Sequence, residues 1–301
     1  MDATQEAVPV LPKVAVILIA RNQASELRRA LEALARSEPR EQLEILVVDC
    51  ASQDDTAAVA EEFPGVTIQR LPQDFGSTKA LNIATRTARA EFLFLLSPEI
   101  EVAPDTVARL AEKLQANSDT AAVCPLFMDA NGQPVARTRR FPDREALTPV
   151  GTGGQVMWIE ISRETLTHEQ CNILYPGREA LMVRKTFVTG MNYFDERFGE
   201  YWADADLAMQ IRRAGRVIRL YPAIQVTWHG TGKIESDDMA HRSDRILGAA
   251  ALLGKHNGFL AGFGFRLRAV FSALIHLDFS LFSALLGGRR VGGEASRSRP
   301  T

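Results

Sequence analysis

Four stretches of strand length, each followed by a segment with helical spacing, organise the first part of this 301-residue chain. Val14 to Ala20 is continuously apolar, the pattern of a strand buried on both faces, and Leu27, Leu31 and Leu34 follow it at helical spacing. Leu43 to Val48 ends at Asp49 and leads into a helix over Asp54 to Phe63. Val66 to Leu71 and Glu91 to Leu96 supply two more strands, separated by a helix that Phe75-Gly76-Ser77 opens and that runs through Ala88. Pro104 starts a further helix at the first-turn position that proline tolerates, and Ala121 to Cys124 reads as one more short strand. Strands alternating with helices predict a mostly parallel sheet with helices on both faces. With 46% hydrophobic residues the chain has ample material for that core.

Sheets of this kind bind ligands beyond the carboxyl ends of their strands. Those ends carry Arg21 and Asn22 after the first strand, Asp49 after the second, and Ser97, Glu99 and Glu101 after the fourth. Lys79 and Asn82 lie early in the helix after the third strand, near the same edge. A formal net charge of -2 gives no argument for a nucleic-acid partner. Cys50, Cys124 and Cys171 lie far apart and odd in number, as expected of reduced thiols rather than a disulfide framework or a zinc site. Met1 to Lys13 has neither a basic start nor an apolar run, so no signal peptide and a cytoplasmic location are expected.

A second organising stretch runs from Phe194 to His229. A loop rich in acids and aromatics leads into a helix from about Asp204 to Ala214, with Asp204 and Asp206 in its first turn and Gly215 as its stop. A first helical turn lies at the positive end of the helix dipole, which favours carboxylates in their charged form. A general base must be charged before it accepts a proton. Asp204 is therefore the candidate base, and Asp206 either a structural acid or one that orients an acceptor. His241 and His256 read as surface residues, and Glu101 as a solvated charge.

Taken together, these residues resemble the inverting family-2 glycosyltransferases, whose nucleotide-binding fold is called GT-A. The similarity covers about Val14 to Gly232. Ala20-Arg21-Asn22 stands where the family has Thr-Tyr-Asn, and Val47 to Thr56 looks like Val-Val-Asp-Asn-Ala-Ser-x-Asp-Gly-Thr. Gly76 to Asn82 is similar to the segment that brings a basic residue and an asparagine to the nucleotide. Ala180 to Lys185, Phe194-Asp195-Glu196 and Tyr201 to Leu207 follow in the family's order, and the last matches the acidic motif that carries the base. The resemblance implies a nucleotide diphosphate sugar as donor, held by Asn22, Asp49, Lys79 and Asn82. It also implies Mg or Mn at Glu99 and His229, Asp204 as base, and a lipid-linked or saccharide acceptor in cell-surface polysaccharide or glycolipid synthesis. Ser97-Pro98-Glu99-Ile100-Glu101 is nearest to the rhamnosyltransferase-like branch, which often has Asn-Pro-Asp-Thr-Glu there.

Two positions depart from the pattern. Ser97 replaces the first carboxylate of the usual Asp-x-Asp, so a weakened metal site completed by the donor diphosphate is expected. Ala203 replaces the Glu that usually precedes the base. Both keep open the alternative of a catalytically impaired nucleotide-sugar-binding relative with a regulatory or scaffolding role. A nucleotidyltransferase would need a Gly- and Arg-rich loop after the first strand, which Arg21-Asn22-Gln23-Ala24-Ser25 is not. Gly151-Thr152-Gly153-Gly154 lacks the lysine and the strand-to-helix setting of a phosphate loop and suggests a mobile loop beside the acceptor.

The expected organisation is a flexible start (1–13) and a catalytic domain (14–255) divided into a nucleotide-binding half (14–125) and an acceptor-binding half (126–255). An amphipathic helical extension (256–288) and a disordered tail (289–301) complete it. Phe259 to Leu286 is apolar but broken by Arg266, Arg268, His276 and Asp278, which argues against a membrane span. Peripheral contact with a membrane through 259–290 is the expectation for that segment, against packing on its own domain or on a second copy.

Overall fold

The computed structural model describes residues 13–135, 137–139, 141, 158–230 and 239–291. Residues 1–12, Arg140, Arg144, Gly151 to Gly154, Gly232 and the tail from 292 lie outside the described residues.

The first half follows the alternation read from the sequence: β1 (Val14–Ala20), α1 (Ala24–Ala35), β2 (Leu43–Asp49), α2 (Thr56–Glu61), β3 (Val66–Arg70), α3 (Ser77–Thr87) and β4 (Phe92–Leu96). Then come β5 (Ile100–Val102), α4 (Thr106–Ala116) and β6 (Thr120–Met128). Pro104 precedes α4 rather than occupying its first turn. A hairpin of β7 (Arg137–Arg139) and β8 (Trp158–Glu160) stands apart from the main sheet. The chain continues through β9 (Cys171–Ile173), β10 (Ala180–Arg184), α5 (Lys185–Gly190), α6 (Ala203–Arg213) and β11 (Val217–Trp228). It closes with α7 (Met239–Asn257), α8 (Phe259–Ile275) and α9 (Phe279–Gly287).

The main sheet has nine strands in the order β3-β2-β1-β4-β10-β6-β11-β5, with β9 paired to β11. β3, β2, β1 and β4 are parallel, whereas β10 runs antiparallel to both β4 and β6. The strand period of two divides the core between two faces. Ile17, Leu46, Val48, Leu93 and Leu95 pack with α3, α6 and α7, while Val16, Leu18, Ile45, Val47, Phe92 and Phe94 pack with α1 and α4. Burial on both faces explains why β1 and β4 read as unbroken apolar runs.

The C-terminal segment is two helices rather than one. Leu277 adopts a positive φ of 57°, and Asp278 then caps α9, its Oδ1 accepting from the Leu281 N–H at 2.9 Å. α8 turns Gly262, Phe265, Ala269 and Ala273 inward, and Gly262 approaches α7 so closely that a Cβ there would lie 2.8 Å from the Gly254 Cα. Gly262→Ala is therefore expected to destabilise the protein by about 1–3 kcal/mol through overpacking. A urea midpoint equal to that of the wild type would show that α8 does not rest on α7 at this crossing.

Candidate active site

The loops beyond β1, β2 and β3 are laced together at the sheet edge. Asn22, at a φ of 53°, donates its backbone N–H to Ser52 Oγ at 3.0 Å, and its Oδ1 accepts from the Gln53 N–H at 2.7 Å. Asp49 is 4% exposed, and its Oδ1 accepts from the Ser52 N–H at 3.3 Å. Arg21 pairs with Asp74 at 2.5 Å, and Asp74 also accepts from the Gly76 N–H at 2.8 Å. Asn22 and Asp49 thus share one edge through Ser52. Cys50 sits behind it, buried, with burial first and then the Asp74, Glu200 and Asp49 carboxylates pushing its thiol well above the usual range.

Lys79 and Asn82 part company on α3. The Lys79 ammonium lies 3.9 Å over the Phe75 ring, on the approach to this edge. Asn82 is 1% exposed and holds the acceptor-side chain: its amide donates to the Phe194 carbonyl at 2.8 Å and to Glu196 at 3.1 Å, and accepts from the Phe194 N–H at 2.9 Å. The structure therefore gives Asn82 work as an anchor between α3 and the loop before α6. At the start of the same helix the Ser77 N–H donates to Glu200 Oε2 at 2.7 Å, and Arg178 holds the other Glu200 oxygen at 3.1 Å. A carboxylate there complements the exposed N–H groups and the positive end of the helix.

The segment expected to hold metal lies where β5 meets the end of β11, with Trp228 opposite Ile100. The His229 backbone N–H donates to the Glu99 carbonyl at 2.9 Å, and Trp228 Nε1 donates to the Glu99 carboxylate at 3.2 Å. The His229 ring faces Glu101, Nε2 to Oε2 at 2.9 Å, and Arg36 reaches Glu101 at 3.4 Å. Glu101 is thus no simple solvated charge: it holds the imidazole. Among the described residues no three His, Cys, Asp or Glu groups are placed to hold a metal ion. Glu99 and His229 are joined through their backbones, while the Glu99 carboxylate takes Trp228 and the His229 ring takes Glu101; a set of the kind Mg and Mn accept would need further oxygen ligands, such as those of a diphosphate.

Asp204 stands at the head of α6, after Trp202 turns the chain in a left-handed conformation with φ of 76°. The Trp202 ring is fixed by donation from Nε1 to the Arg245 carbonyl at 2.8 Å. Asp204 is 6% exposed; its Oδ2 accepts from Arg139 Nη1 at 2.9 Å, and its Oδ1 accepts from the Tyr175 hydroxyl and the Ala205 N–H, both at 2.9 Å. Burial and the Asp204 carboxylate push the Tyr175 phenol well above its usual range, so Tyr175 stays a donor. Burial works against the charge of Arg139, but Tyr175 and Asp204 outweigh it and hold the guanidinium charged. Arg139 also pairs with Glu179, whose carbonyl accepts from the Ser97 N–H at 2.8 Å. A chain of contacts therefore runs from Asp204 through Arg139 and Glu179 to the segment bearing Glu99.

Asp206 points elsewhere. It is fully buried and takes Lys255 Nζ at 2.8 Å and His256 Nε2 at 2.6 Å, both at the end of α7. The His256 side chain is 1% exposed, which overturns its reading as a surface residue. Lys255 also reaches Asp195 at 3.4 Å, and Asp195 is lowered to about 2, chiefly by its hydrogen bonds from Arg197. Arg139, Tyr175, Glu179, Arg178 and Glu200 escaped sequence reasoning as site residues. Arg139 was visible only as one of several arginines in an irregular stretch, and no periodicity singles it out.

The site can be set beside known proteins. The family model described as Glycosyl transferase family 2 matches residues 15–171, more than half of the chain. An uncharacterized glycosyltransferase of Bacillus subtilis is 30% identical over 118 residues, 38% of this chain and 30% of its own length, so the chain spans less than a third of that relative. The N-acetylglucosaminyl-diphospho-decaprenol L-rhamnosyltransferase of Mycobacterium tuberculosis is 24% identical over 274 residues, covering 83% of this chain and 86% of that protein. Among solved structures, a mannosyltransferase from Pyrobaculum calidifontis in complex with GDP-Man and Mn2+ aligns with a TM-score of 0.58 at 18% identity, over 98% of this chain and 79% of that one. That likeness shows a shared fold.

Proposed function

The chain belongs to glycosyl transferase family 2, and on that premise we propose that it moves a hexosyl group from a nucleotide diphosphate sugar to an acceptor hydroxyl with inversion. The observation that carries this reading is the setting of Asp204. An ionised carboxylate offers about four acceptor sites, and Arg139, Tyr175 and the Ala205 N–H take three. The remaining site lies on Oδ2, which among the described residues accepts from Arg139 alone. An acceptor hydroxyl donating there loses its proton to Asp204 as its oxygen attacks the anomeric carbon. The bond from that carbon to the diphosphate oxygen breaks on the opposite face, so configuration inverts without a covalent enzyme intermediate. Tyr175 and Arg139 fix the carboxylate's orientation, which is the positional half of base catalysis.

Asn22 and Asp49 are assigned to the nucleoside end of the donor and Lys79 to its phosphates; Asn82 serves the site by anchoring Phe194. Glu99 and His229 would hold a Mg or Mn ion together with the donor's diphosphate, and that ion would offset charge on the leaving group. With so few protein ligands, titrating Mn2+ into the free protein is expected to give no tight isotherm, and adding a nucleoside diphosphate is expected to produce one. Tight binding to the free protein would contradict this two-ligand assignment.

The acceptor is assigned as a lipid-linked or free saccharide in polysaccharide or glycolipid synthesis. Support comes from the mycobacterial relative, whose name includes a diphospho-decaprenol. A cytoplasmic setting accords with three free cysteines, Cys50 and Cys124 buried.

A second reading, a nucleotide-sugar-binding relative without turnover, draws on Ser97 and on the Arg139 contact that a productive acceptor must share. Nucleoside diphosphate release across a panel of nucleotide sugars, with Mn2+ or Mg2+ and saccharide or lipid-linked acceptors, separates the two. Turnover with one donor is expected. Donor binding without turnover would favour the second reading, and no donor binding would defeat both.

A further inference from the structure

Large apolar side chains are exposed in one place above all. Of the twelve such residues among those described, ten fall between Phe259 and Leu286, on α8, α9 and their junction. Leu260, Phe263, Leu267, Phe271, Leu274 and Ile275 are 79%, 53%, 45%, 55%, 41% and 75% exposed and recur at helical spacing along α8, opposite the face that Gly262, Phe265, Ala269 and Ala273 turn toward α7. A stripe this long and continuous on a folded protein marks a surface with a partner.

The charges around the stripe say which partner. At 3.6 residues per turn, Arg268 falls on its flank, whereas Arg266 falls beside Ala273 at the inward edge, where it donates to the Leu285 carbonyl at 2.8 Å. Between 258 and 291 the sequence holds four arginines and a single carboxylate, Asp278. Asp278 is already committed, capping α9 and pairing with Arg242 at 3.1 Å, and so is Arg290, which pairs with Asp244. A two-fold contact between copies would lay this cationic patch against itself, arginine facing arginine. None of the described helices is long and apolar enough to cross a membrane. Long arginine stems beside an apolar stripe suit an interface whose interior is hydrocarbon and whose surface is anionic.

We propose that the outward face of α8 and α9 docks on an anionic lipid bilayer, with Leu260, Phe263, Leu267, Phe271 and Leu274 entering the acyl boundary and Arg268 at the headgroups. The surface connects to the acceptor side of the site. Arg290, just beyond α9, bonds Asp244 at 3.1 Å, and Asp244 accepts from the Glu200 N–H at 2.8 Å, in the loop that leads to Trp202 and Asp204. Docking would therefore present that loop to a lipid-linked acceptor, a consequence that rests on the proposed transferase reading; the docking itself does not.

The test is flotation of the full chain with vesicles of phosphatidylcholine alone or with 30% phosphatidylglycerol at low salt, no acceptor present. The wild type is expected to float with the anionic vesicles and to leave them as salt rises. Phe263→Asp with Phe271→Asp is expected to lower the bound fraction at least about ten-fold with an unchanged melting curve, since both side chains are exposed. Arg268→Glu is expected to weaken binding to the anionic vesicles selectively. Binding that ignores the double substitution, or a wild type that stays off the vesicles, would overturn the proposal. So would a dimer in sedimentation that the double substitution dissociates, because a second copy would then cover the face. Transfer to a soluble acceptor by the double variant reads the site separately, so loss of docking and loss of the transferase reading are distinguishable.

Discussion

Asp204→Asn lowers kcat for sugar transfer by about 10³-fold, the usual scale for removing a general base, while nucleotide binding stays within about two-fold of wild type. The expectation follows from where each group sits. The substituted amide keeps an oxygen for Tyr175 and the Ala205 N–H, so the first turn of α6 retains those contacts and its place. What it loses is the lone pair on the other atom, which becomes an N–H₂ facing the Arg139 guanidinium. Arg139 retains Glu179 as a partner, so no cation is stranded. Asn22 and Asp49, at the ends of β1 and β2, take no part in these bonds. Steady-state rates paired with calorimetric titration of the nucleoside diphosphate check both halves. A variant that keeps a tenth or more of wild-type kcat would remove Asp204 from the role of base.

The second large effect is on stability and comes two residues along the same helix. Asp206→Ala removes a fully buried carboxylate from Lys255 and His256. Breaking a buried pair by deleting one partner costs roughly 3–5 kcal/mol, because the other charge is left without compensation. Lys255 retains Asp195 at 3.4 Å, which places the expected loss near the lower end, about 3 kcal/mol. The join between α6 and the end of α7 is the structure at risk, since Arg213 also donates to the His256 carbonyl at 2.8 Å. Urea denaturation measures it. A loss below about 1 kcal/mol together with abolished transfer would instead make Asp206 part of the chemistry.

The contrast between these two aspartates shows what a sequence can carry. Both stand in a first helical turn, and a spacing of two turns them to opposite sides of the helix without saying which one meets the cleft and which meets α7. β1 and β4 were legible because strands buried on both faces must be apolar throughout, and Asn22 and Asp49 were picked out by lying at strand ends. The direction of β10 was not legible, since antiparallel and parallel strands share a period of two. β5 is three residues long and hides within Ser97 to Val102. Pairing of His229 with Glu101 arises from the register of β5 on β11, which no local pattern encodes. Arg139 comes from a hairpin outside the main sheet and reaches Asp204 across 65 positions of sequence. The break between α8 and α9 depends on one left-handed residue, Leu277, of a type that seldom adopts that conformation.

The measurement that bears most directly on the account is the anomeric configuration of the new glycosidic bond, read by proton NMR on the product formed by wild-type protein from its preferred nucleotide sugar. Direct attack by an acceptor oxygen deprotonated at Asp204 predicts the configuration opposite to that of the donor. A product with the donor's configuration would contradict a single displacement and, with it, the assignment of Asp204 as its base.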